Sequence, residues 1–175
     1  MSTALGAEAP QFDLPGVDGQ NHSLDSYADS DALVLVQWSN HCPYVQAWEG
    51  RLSAIARDYA DLGVRVVAVN SNDVDNYPED SFEEMQKRSQ RQGFAFDYLY
   101  DEPQAVAGAL ESARTPEVFV YDRDRRLRYH GAIDDNRDET GVSQQYLRDA
   151  LDAVLAGDDP PVTETPPVGC TVKWR

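Results

Sequence analysis

One of the two cysteines in this 175-residue chain stands at a predicted junction between a strand and a helix. The continuous apolar run 32–36 predicts a buried strand, Cys42 follows it, and a helix is predicted from Tyr44. A thiol at a helix N-terminus lies at the positive end of the dipole, which lowers its pKa from about 8.5 toward roughly 3.5 to 7.5. Because the thiolate is the nucleophile, Cys42 is the first candidate for chemistry. The alternative for a lone cysteine is a small buried apolar residue.

Few other side chains could take part in catalysis or metal binding. His41 precedes Cys42 and could stabilise a thiolate by its charge, or it could point to solvent. His22 and His130 are isolated, and the cysteines are far apart in sequence, so no metal-site spacing is found. Phosphate-binding glycine motifs are also absent from the sequence. The sequence therefore predicts neither a metal site nor an organic cofactor.

The elements that must position Cys42 form a strand–helix–strand unit. The predicted helix 44–62 has one apolar face and is ended by Gly63. The members of that face are Val45, Trp48, Leu52, Ile55, Tyr59 and Leu62. A second buried strand, 64–69, completes a right-handed parallel crossover. Sites in open α/β sheets lie beyond the carboxyl ends of strands, which is where Cys42 is predicted.

The rest of the chain predicts shorter elements on both sides of this unit. They are a lead-in hairpin over 9–19, a polar helix ending at 92, a strand over 94–100, a short helix over 104–110, a hairpin with strands before and after 122–126, and a closing helix over 143–155. The Asn- and Asp-rich segment 70–80 lacks the third oxygen ligand and the glycine of a calcium loop. It is predicted to be a solvated loop with a helix cap.

The motif Asn-His-Cys-Pro-Tyr-Val at residues 40–45 resembles the thioredoxin superfamily, more closely its redoxin branch of peroxiredoxins and thioredoxin-like proteins. The resemblance implies an α/β thioredoxin-like fold: a central mixed β-sheet flanked by helices, with an N-terminal hairpin extension and an extended C-terminal arm. Relatives with this motif have a first cysteine where this chain has Ser39. Peroxiredoxins have Thr-x-x-Cys in the same frame. The resemblance thus implies that Ser39 hydrogen-bonds the Cys42 thiolate or the peroxide oxygen, and a helix-capping hydroxyl is the compatible alternative.

A second stretch, 114–121, carries the same resemblance because thioredoxin-like proteins open this strand with a cis X-Pro pair. Here that pair is Thr115-Pro116, and the resemblance implies that it faces the cysteine motif and offers backbone to a substrate. An ordinary proline at the start of an edge strand is the alternative. Peroxiredoxins also use an arginine to stabilise thiolate and peroxide. Arg114 is the best-placed candidate and Arg128 a weaker one, with a surface salt bridge as the alternative for both.

The C-terminus has the third point of resemblance, a Gly-Cys-x-x-Lys-Trp segment that contains Cys170. A Pro-, Asp- and Thr-rich spacer precedes it, and its apolar content predicts that the end docks on the body. We therefore expect a thioredoxin-like domain over 1–157 and an arm over 158–175. The resemblance implies that Cys170 resolves oxidised Cys42 as an internal disulfide.

The composition is strongly acidic. There are 31 Asp and Glu against 15 Lys and Arg, a formal net charge of -16. Such a surface repels nucleic acid and anionic membranes, so we expect neither as a partner. The Asp-rich, Lys-poor bias resembles that of salt-adapted, halophilic proteins. Residues 1–10 have neither a basic region nor an apolar region of a signal peptide, and we expect a soluble, cytoplasmic protein.

Three functions are consistent with these features. The first is a thiol-dependent peroxidase with Cys42 attacking and Cys170 resolving, reduced by an external dithiol such as a thioredoxin. The second is a thiol–disulfide exchange protein that uses the same pair. The third is a catalytically silent thioredoxin-like binding module.

Overall fold

The structure is a computed structural model that describes residues 4–175, so residues 1–3 of the segment screened for a signal peptide lie outside the described residues. Its strands are β1 (Asp13–Pro15), β2 (Asn21–Ser23), β3 (Ala32–Trp38), β4 (Val64–Asn70), β5 (Asp97–Tyr100), β6 (Arg114–Thr115), β7 (Glu117–Tyr121), β8 (Leu127–Gly131) and β9 (Cys170–Thr171). Its helices are α1 (Pro43–Ala60), α2 (Phe82–Gln92), α3 (Ala105–Leu110) and α4 (Tyr146–Leu155).

A five-stranded mixed sheet in the order β5-β4-β3-β7-β8 forms the centre of the fold. β3 pairs in parallel with β4 and antiparallel with β7, and every residue of β3 is buried. Alternate β3 residues point into two cores, one shared with α1, α2 and α4 and the other with α3 and the N-terminal segment. Burial on both faces explains why β3 reads as a continuous apolar run. The predicted central mixed sheet flanked by helices is confirmed.

The predicted strand–helix–strand unit is present as β3–α1–β4. Val45, Trp48, Leu52, Ile55 and Tyr59 are buried along one face of α1, as predicted. Leu62 is wrong as a member of that face, because its side chain is 54% exposed. The helix ends at Ala60, and Gly63, with φ of +84°, turns the chain into β4.

Two predicted elements begin later than the sequence indicates. The strand predicted from residue 94 begins at Asp97, because the Ala95 N–H donates to Ser53 Oγ on α1 rather than to a strand. The helix predicted from Ser143 begins at Tyr146, because the backbone and hydroxyl of Ser143 both donate to the Asp135 carboxylate. Those bonds hold residue 143 in a loop instead of the first helical turn.

The C-terminal arm lies against the body on the edge of β8 and then crosses to β6. The Thr165 N–H donates to the His130 carbonyl, and Thr165 Oγ1 lies 2.8 Å from both the Tyr129 hydroxyl and the Ala132 nitrogen. β9 then pairs antiparallel with β6, with Thr115 opposite Cys170. The division into a domain over 1–157 and an arm over 158–175 stays a prediction. No helix within residues 4–175 has the length and apolar character needed to cross a membrane.

Candidate redox site

Cys42 is the N-cap residue of α1, four residues after β3 ends at Trp38. Pro43 occupies the first helical position, where its missing N–H costs no hydrogen bond, and the Cys42 carbonyl accepts from the Gln46 N–H at 3.0 Å. The sulfur is therefore beside the first unpaired N–H groups of an 18-residue helix. Cys42 is only 1% exposed, so the sulfur lies within the body rather than on its surface.

Cys170 is joined to Cys42 as a disulfide. The Cα atoms are 6.2 Å apart although 128 residues separate them in sequence, and that distance lies within the range of about 4.4 to 6.8 Å that disulfides span. Cys170 is only partly buried, in contrast to Cys42. The structure thus places the two cysteines together, as the sequence resemblance implies, and leaves Cys170 the more accessible of the two.

The Thr115-Pro116 peptide is cis, as expected from the resemblance, and it lies against the disulfide. The Thr115 carbonyl oxygen lies 3.4 Å from Cys42 Sγ, and the Thr115 residue itself pairs with Cys170. Glu117 holds the backbone that leads into this peptide, because its Oε1 accepts from the Ala113 and Arg114 N–H groups at 2.9 and 3.0 Å. The backbone beside the disulfide is therefore held by Glu117 before the cis peptide and by the pairing of β6 with β9.

Ser39 is completely buried, and its hydroxyl has no hydrogen-bond partner among the described residues in this disulfide form. The Thr115 hydroxyl is likewise buried and unpaired within residues 4–175. A buried polar group without a partner costs free energy. A thiolate on Cys42 would supply an acceptor, which agrees with the predicted role of Ser39, and that role stays a prediction.

His41 contacts Asp80. Its Nδ1 lies 2.5 Å from Asp80 Oδ2, and its ring stacks on Tyr77 with centroids 5.7 Å apart. The imidazole is therefore oriented by a buried carboxylate, and a direct role toward Cys42 stays a prediction.

The two candidate arginines differ in what they bind. The Arg128 guanidinium pairs with Asp122 at 3.3 Å and with Asp159 at 2.6 Å, which is the surface salt-bridge alternative. The Arg114 guanidinium makes no hydrogen bond or ion pair with the described part of the chain. Arg114 therefore remains the candidate for stabilising thiolate or peroxide, as a prediction.

Sequence reasoning missed the residues that hold the Cys42 loop. The predicted solvated loop over 70–80 is correct only in part: residues 75, 76, 78 and 79 are exposed and Ser81 caps α2, but Asn70, Asn72, Asp73 and Asp80 are each at most 3% exposed. Asp80 accepts from the backbone N–H groups of Asn40 at 2.8 Å and His41 at 3.2 Å. The signal that was available is position, since this run of amides and carboxylates directly follows buried β4.

Tyr98 fixes the same loop from the sheet. Its hydroxyl donates to Asn40 Oδ1 at 2.7 Å. Burial, together with the nearby Asp80 and Glu49 carboxylates, raises the pKa of Tyr98 well above its ordinary value, so the hydroxyl remains protonated and continues to donate. Within residues 4–175, no group of three or more His, Cys, Asp or Glu is placed to hold a metal ion.

Comparison with solved structures finds two close likenesses over nearly the whole chain. A hypothetical protein from Sinorhizobium meliloti 1021 is 43% identical with a TM-score of 0.93, over 98% of this chain and 95% of that chain. An uncharacterized conserved protein from Geobacillus kaustophilus is 42% identical with a TM-score of 0.93, over 99% of this chain and 93% of that one. Coverage this complete includes the arm.

More distant likenesses have a thioredoxin-like fold. The peroxidoxin BcpB from Mycobacterium tuberculosis is 19% identical with a TM-score of 0.61, over 87% of this chain and 94% of that one. Among curated proteins, the thiol-disulfide oxidoreductase ResA from Geobacillus thermodenitrificans is 24% identical over 127 residues, 73% of this chain and 68% of that protein. Residues 5–130 match the AhpC/TSA family. Since that match covers most of the sequence, the chain belongs to the AhpC/TSA family of thioredoxin-like redoxins.

Proposed function

We propose that this protein is a thiol peroxidase in which Cys42 reduces a peroxide and Cys170 resolves the product. The coarser activity, thiol–disulfide oxidoreduction, has support from the family membership and from the Cys42–Cys170 disulfide. The single observation that carries the finer proposal is the 1% exposure of Cys42 at a helix N-terminus. With the arm docked as in this disulfide form, a sulfur so enclosed admits a small oxidant more readily than a disulfide on a folded protein.

The reaction divides into three balanced steps. The Cys42 thiolate attacks one peroxide oxygen, so the O–O bond breaks, Cys42 becomes a sulfenic acid and the other oxygen leaves as an alcohol or water after taking a proton. The Cys170 thiol then attacks the Cys42 sulfur, which forms the disulfide and releases water. An external dithiol donates two electrons, restores both thiols and becomes a disulfide itself.

The difference in exposure between the two cysteines assigns a direction to the last step. Thiol–disulfide exchange depends on access to the attacked sulfur and on the pKa of the leaving thiol. Cys170 is the more exposed residue, and Cys42 at the helix N-terminus is the better-stabilised leaving thiolate. The reductant therefore attacks Cys170 and leaves Cys42 as the free thiolate.

The test is intact mass and free-thiol count of the reduced protein after one equivalent of hydrogen peroxide. We expect rapid loss of both thiols with a mass decrease of about two hydrogens, which marks one disulfide. Cys170→Ser should instead accumulate a dimedone-reactive sulfenic acid on Cys42, and Cys42→Ser should keep its remaining thiol. If the wild-type protein keeps both thiols after peroxide treatment, with both counted in denaturant as free thiols, peroxide reduction is excluded.

A second candidate, thiol–disulfide exchange, is favoured by the accessibility of Cys170 and by the name of the ResA relatives. In that case the reduced protein would reduce a small disulfide such as oxidised glutathione, and Cys170→Ser would lose that activity. Parallel assays with peroxide and with oxidised glutathione separate the two candidates by their relative rates.

A further inference from the structure

The side chain of Asn72 bonds the arm that carries Cys170 directly, and it reaches the loop before Cys42 through Asp80. Asn72 is 3% exposed and lies just after β4, in the segment that links the sheet to α2. Its Nδ2 donates to Asp80 Oδ2 at 2.9 Å, and its Oδ1 accepts from the Lys173 N–H at 2.9 Å. A single buried amide therefore uses both of its ends on two different segments.

The first partner, Asp80, in turn holds the loop that carries Cys42. Asp80 Oδ1 accepts from the Asn40 and His41 backbone N–H groups, so the carboxylate holds the two residues immediately before the cysteine. Asp80 itself is completely buried, and Asn72 is the side-chain amide that donates to its second oxygen. Through Asp80, the position of Asn72 bears on where the start of α1 lies.

The second segment is the arm that carries Cys170. Besides the Asn72 bond, the Lys173 carbonyl accepts from the Asp73 N–H at 2.8 Å and from Gln104 Nε2 at 3.0 Å. Gln104 also accepts from the Arg175 N–H through its Oε1 at 3.2 Å. Gln104 also donates to the Ser71 carbonyl at 2.9 Å, but within residues 4–175 its side chain makes no hydrogen bond to the Cys42 loop or to Asp80, whereas Asn72 reaches that loop through Asp80.

We propose that Asn72 is a positioning residue that couples the Cys42 loop to the docked arm and thereby sets how readily the two sulfurs join. The inference rests on the proposed use of Cys42 and Cys170 as the redox pair. Holding both segments raises the effective concentration of one sulfur at the other without touching either. Neither the proposed function nor the fold alone requires one amide to connect Asp80 to the arm.

The experiment is redox equilibration of the protein in glutathione buffers, in which two glutathione thiols reduce the protein disulfide and become oxidised glutathione. Asn72→Leu, which keeps the volume and removes both hydrogen bonds, should lower the equilibrium constant for the disulfide roughly tenfold, a shift of about 30 mV toward more positive potential. Gln104→Leu, the matched control, should lower the same constant because it also loosens the arm.

The second readout separates coupling from simple arm anchoring. In a Cys170→Ser background, Asn72→Leu should change the rate and the apparent pKa of Cys42 alkylation, whereas Gln104→Leu should leave both unchanged. If Cys42 in the Asn72→Leu protein is alkylated with the wild-type rate and apparent pKa, Asn72 only anchors the arm and the coupling is refuted. If Asn72→Leu does not fold by circular dichroism, Asn72→Ser replaces it.

Failure of the inference is distinguishable from failure of the proposed function. A wild-type protein that forms no Cys42–Cys170 disulfide in oxidising glutathione contradicts both. If the wild-type protein forms the disulfide and Asn72→Leu has the same equilibrium constant for it, the inference alone is contradicted.

Discussion

Replacing Gly169 by alanine is expected to weaken the Cys42–Cys170 disulfide without touching either sulfur. Gly169 directly precedes Cys170, and its Cα faces the cis Thr115-Pro116 peptide beside the disulfide. A Cβ at this position would lie 2.1 Å from the Thr115 carbonyl oxygen, 2.7 Å from its carbonyl carbon and 3.2 Å from Pro116 N. The obstacle is backbone, which cannot rotate aside as a side chain can, so the arm itself must move away.

The expected magnitude follows from that overlap. Overpacking a tight contact costs about 1 to 3 kcal/mol. Since each 1.4 kcal/mol is a factor of ten, the equilibrium constant for the disulfide should fall by about 5-fold to about 150-fold. For a two-electron couple this raises the reduction potential by about 20 to 65 mV. The backbone dihedral angle φ at Gly169 is not in the left-handed region, so the effect is a clash and not a conformational restriction.

The assay is equilibration in glutathione buffers, with the oxidised fraction read by mass after acid quenching and alkylation. Gly50→Ala is the matched control, because a Cβ there meets nothing within 4 Å and the residue lies inside α1. It should stabilise the helix by up to about 1 kcal/mol and leave the disulfide equilibrium unchanged. A Gly169→Ala potential equal to that of wild type would refute the docked position of the arm.

Three further outcomes are expected. Arg51 Nη1 lies 2.8 Å from Asp134 Oδ2, so Asp134→Ala removes the carboxylate partner of a largely buried guanidinium. It should lower the free energy of unfolding in urea by about 3 kcal/mol or more, and a loss below about 1 kcal/mol would contradict the importance of that ion pair. Ser39→Ala should slow the reaction of Cys42 with peroxide roughly tenfold at unchanged stability, and an unchanged rate would argue for a capping role only. A hydrogen bond from Asn76 lowers the pKa of Asp73 below its usual 3.8. Ionised Asp73 therefore stabilises the fold above pH 3.8, and this stabilisation is lost as the pH falls through the lower pKa of the folded state. The difference in unfolding free energy between wild type and Asp73→Asn should therefore shrink on acidification, and a constant difference would be inconsistent.

The elements with strong periodicity could be predicted from the sequence, and the later errors have physical causes. β3 and α1 have patterns that depend only on which faces are buried, and both are where the sequence indicates. Leu62 was misassigned because the 3.6-residue period continues past the point where Gly63 turns the chain. Ser143 was misassigned because its bond to Asp135 competes with helix formation, and such a side-chain bond leaves no periodic signal.

The candidate site divides in the same way. Cys42 is recognisable because a strand–helix junction has a local signature, and Cys170 because its segment resembles that of known relatives. The buried network of Asn72 and Asp80 has no such signature, since Asn and Asp are the ordinary residues of solvated loops. Only the three-dimensional contacts with Asn40 and Lys173 distinguish this network from a solvated loop. Composition predicts what a segment usually does, and here long-range contacts decide otherwise.

The arm and the chemistry are linked through one equilibrium. A cross-link across 128 residues restricts the unfolded chain, which in the chain-entropy model stabilises the fold by about 5 kcal/mol at 25 °C. By thermodynamic linkage, folding stabilises the disulfide by the same amount relative to the disulfide in the unfolded chain. Each contact that docks the arm, from Thr165 to Lys173, therefore contributes to the reduction potential as well as to stability. Residues far from either sulfur are consequently as able to tune this redox pair as those that touch it.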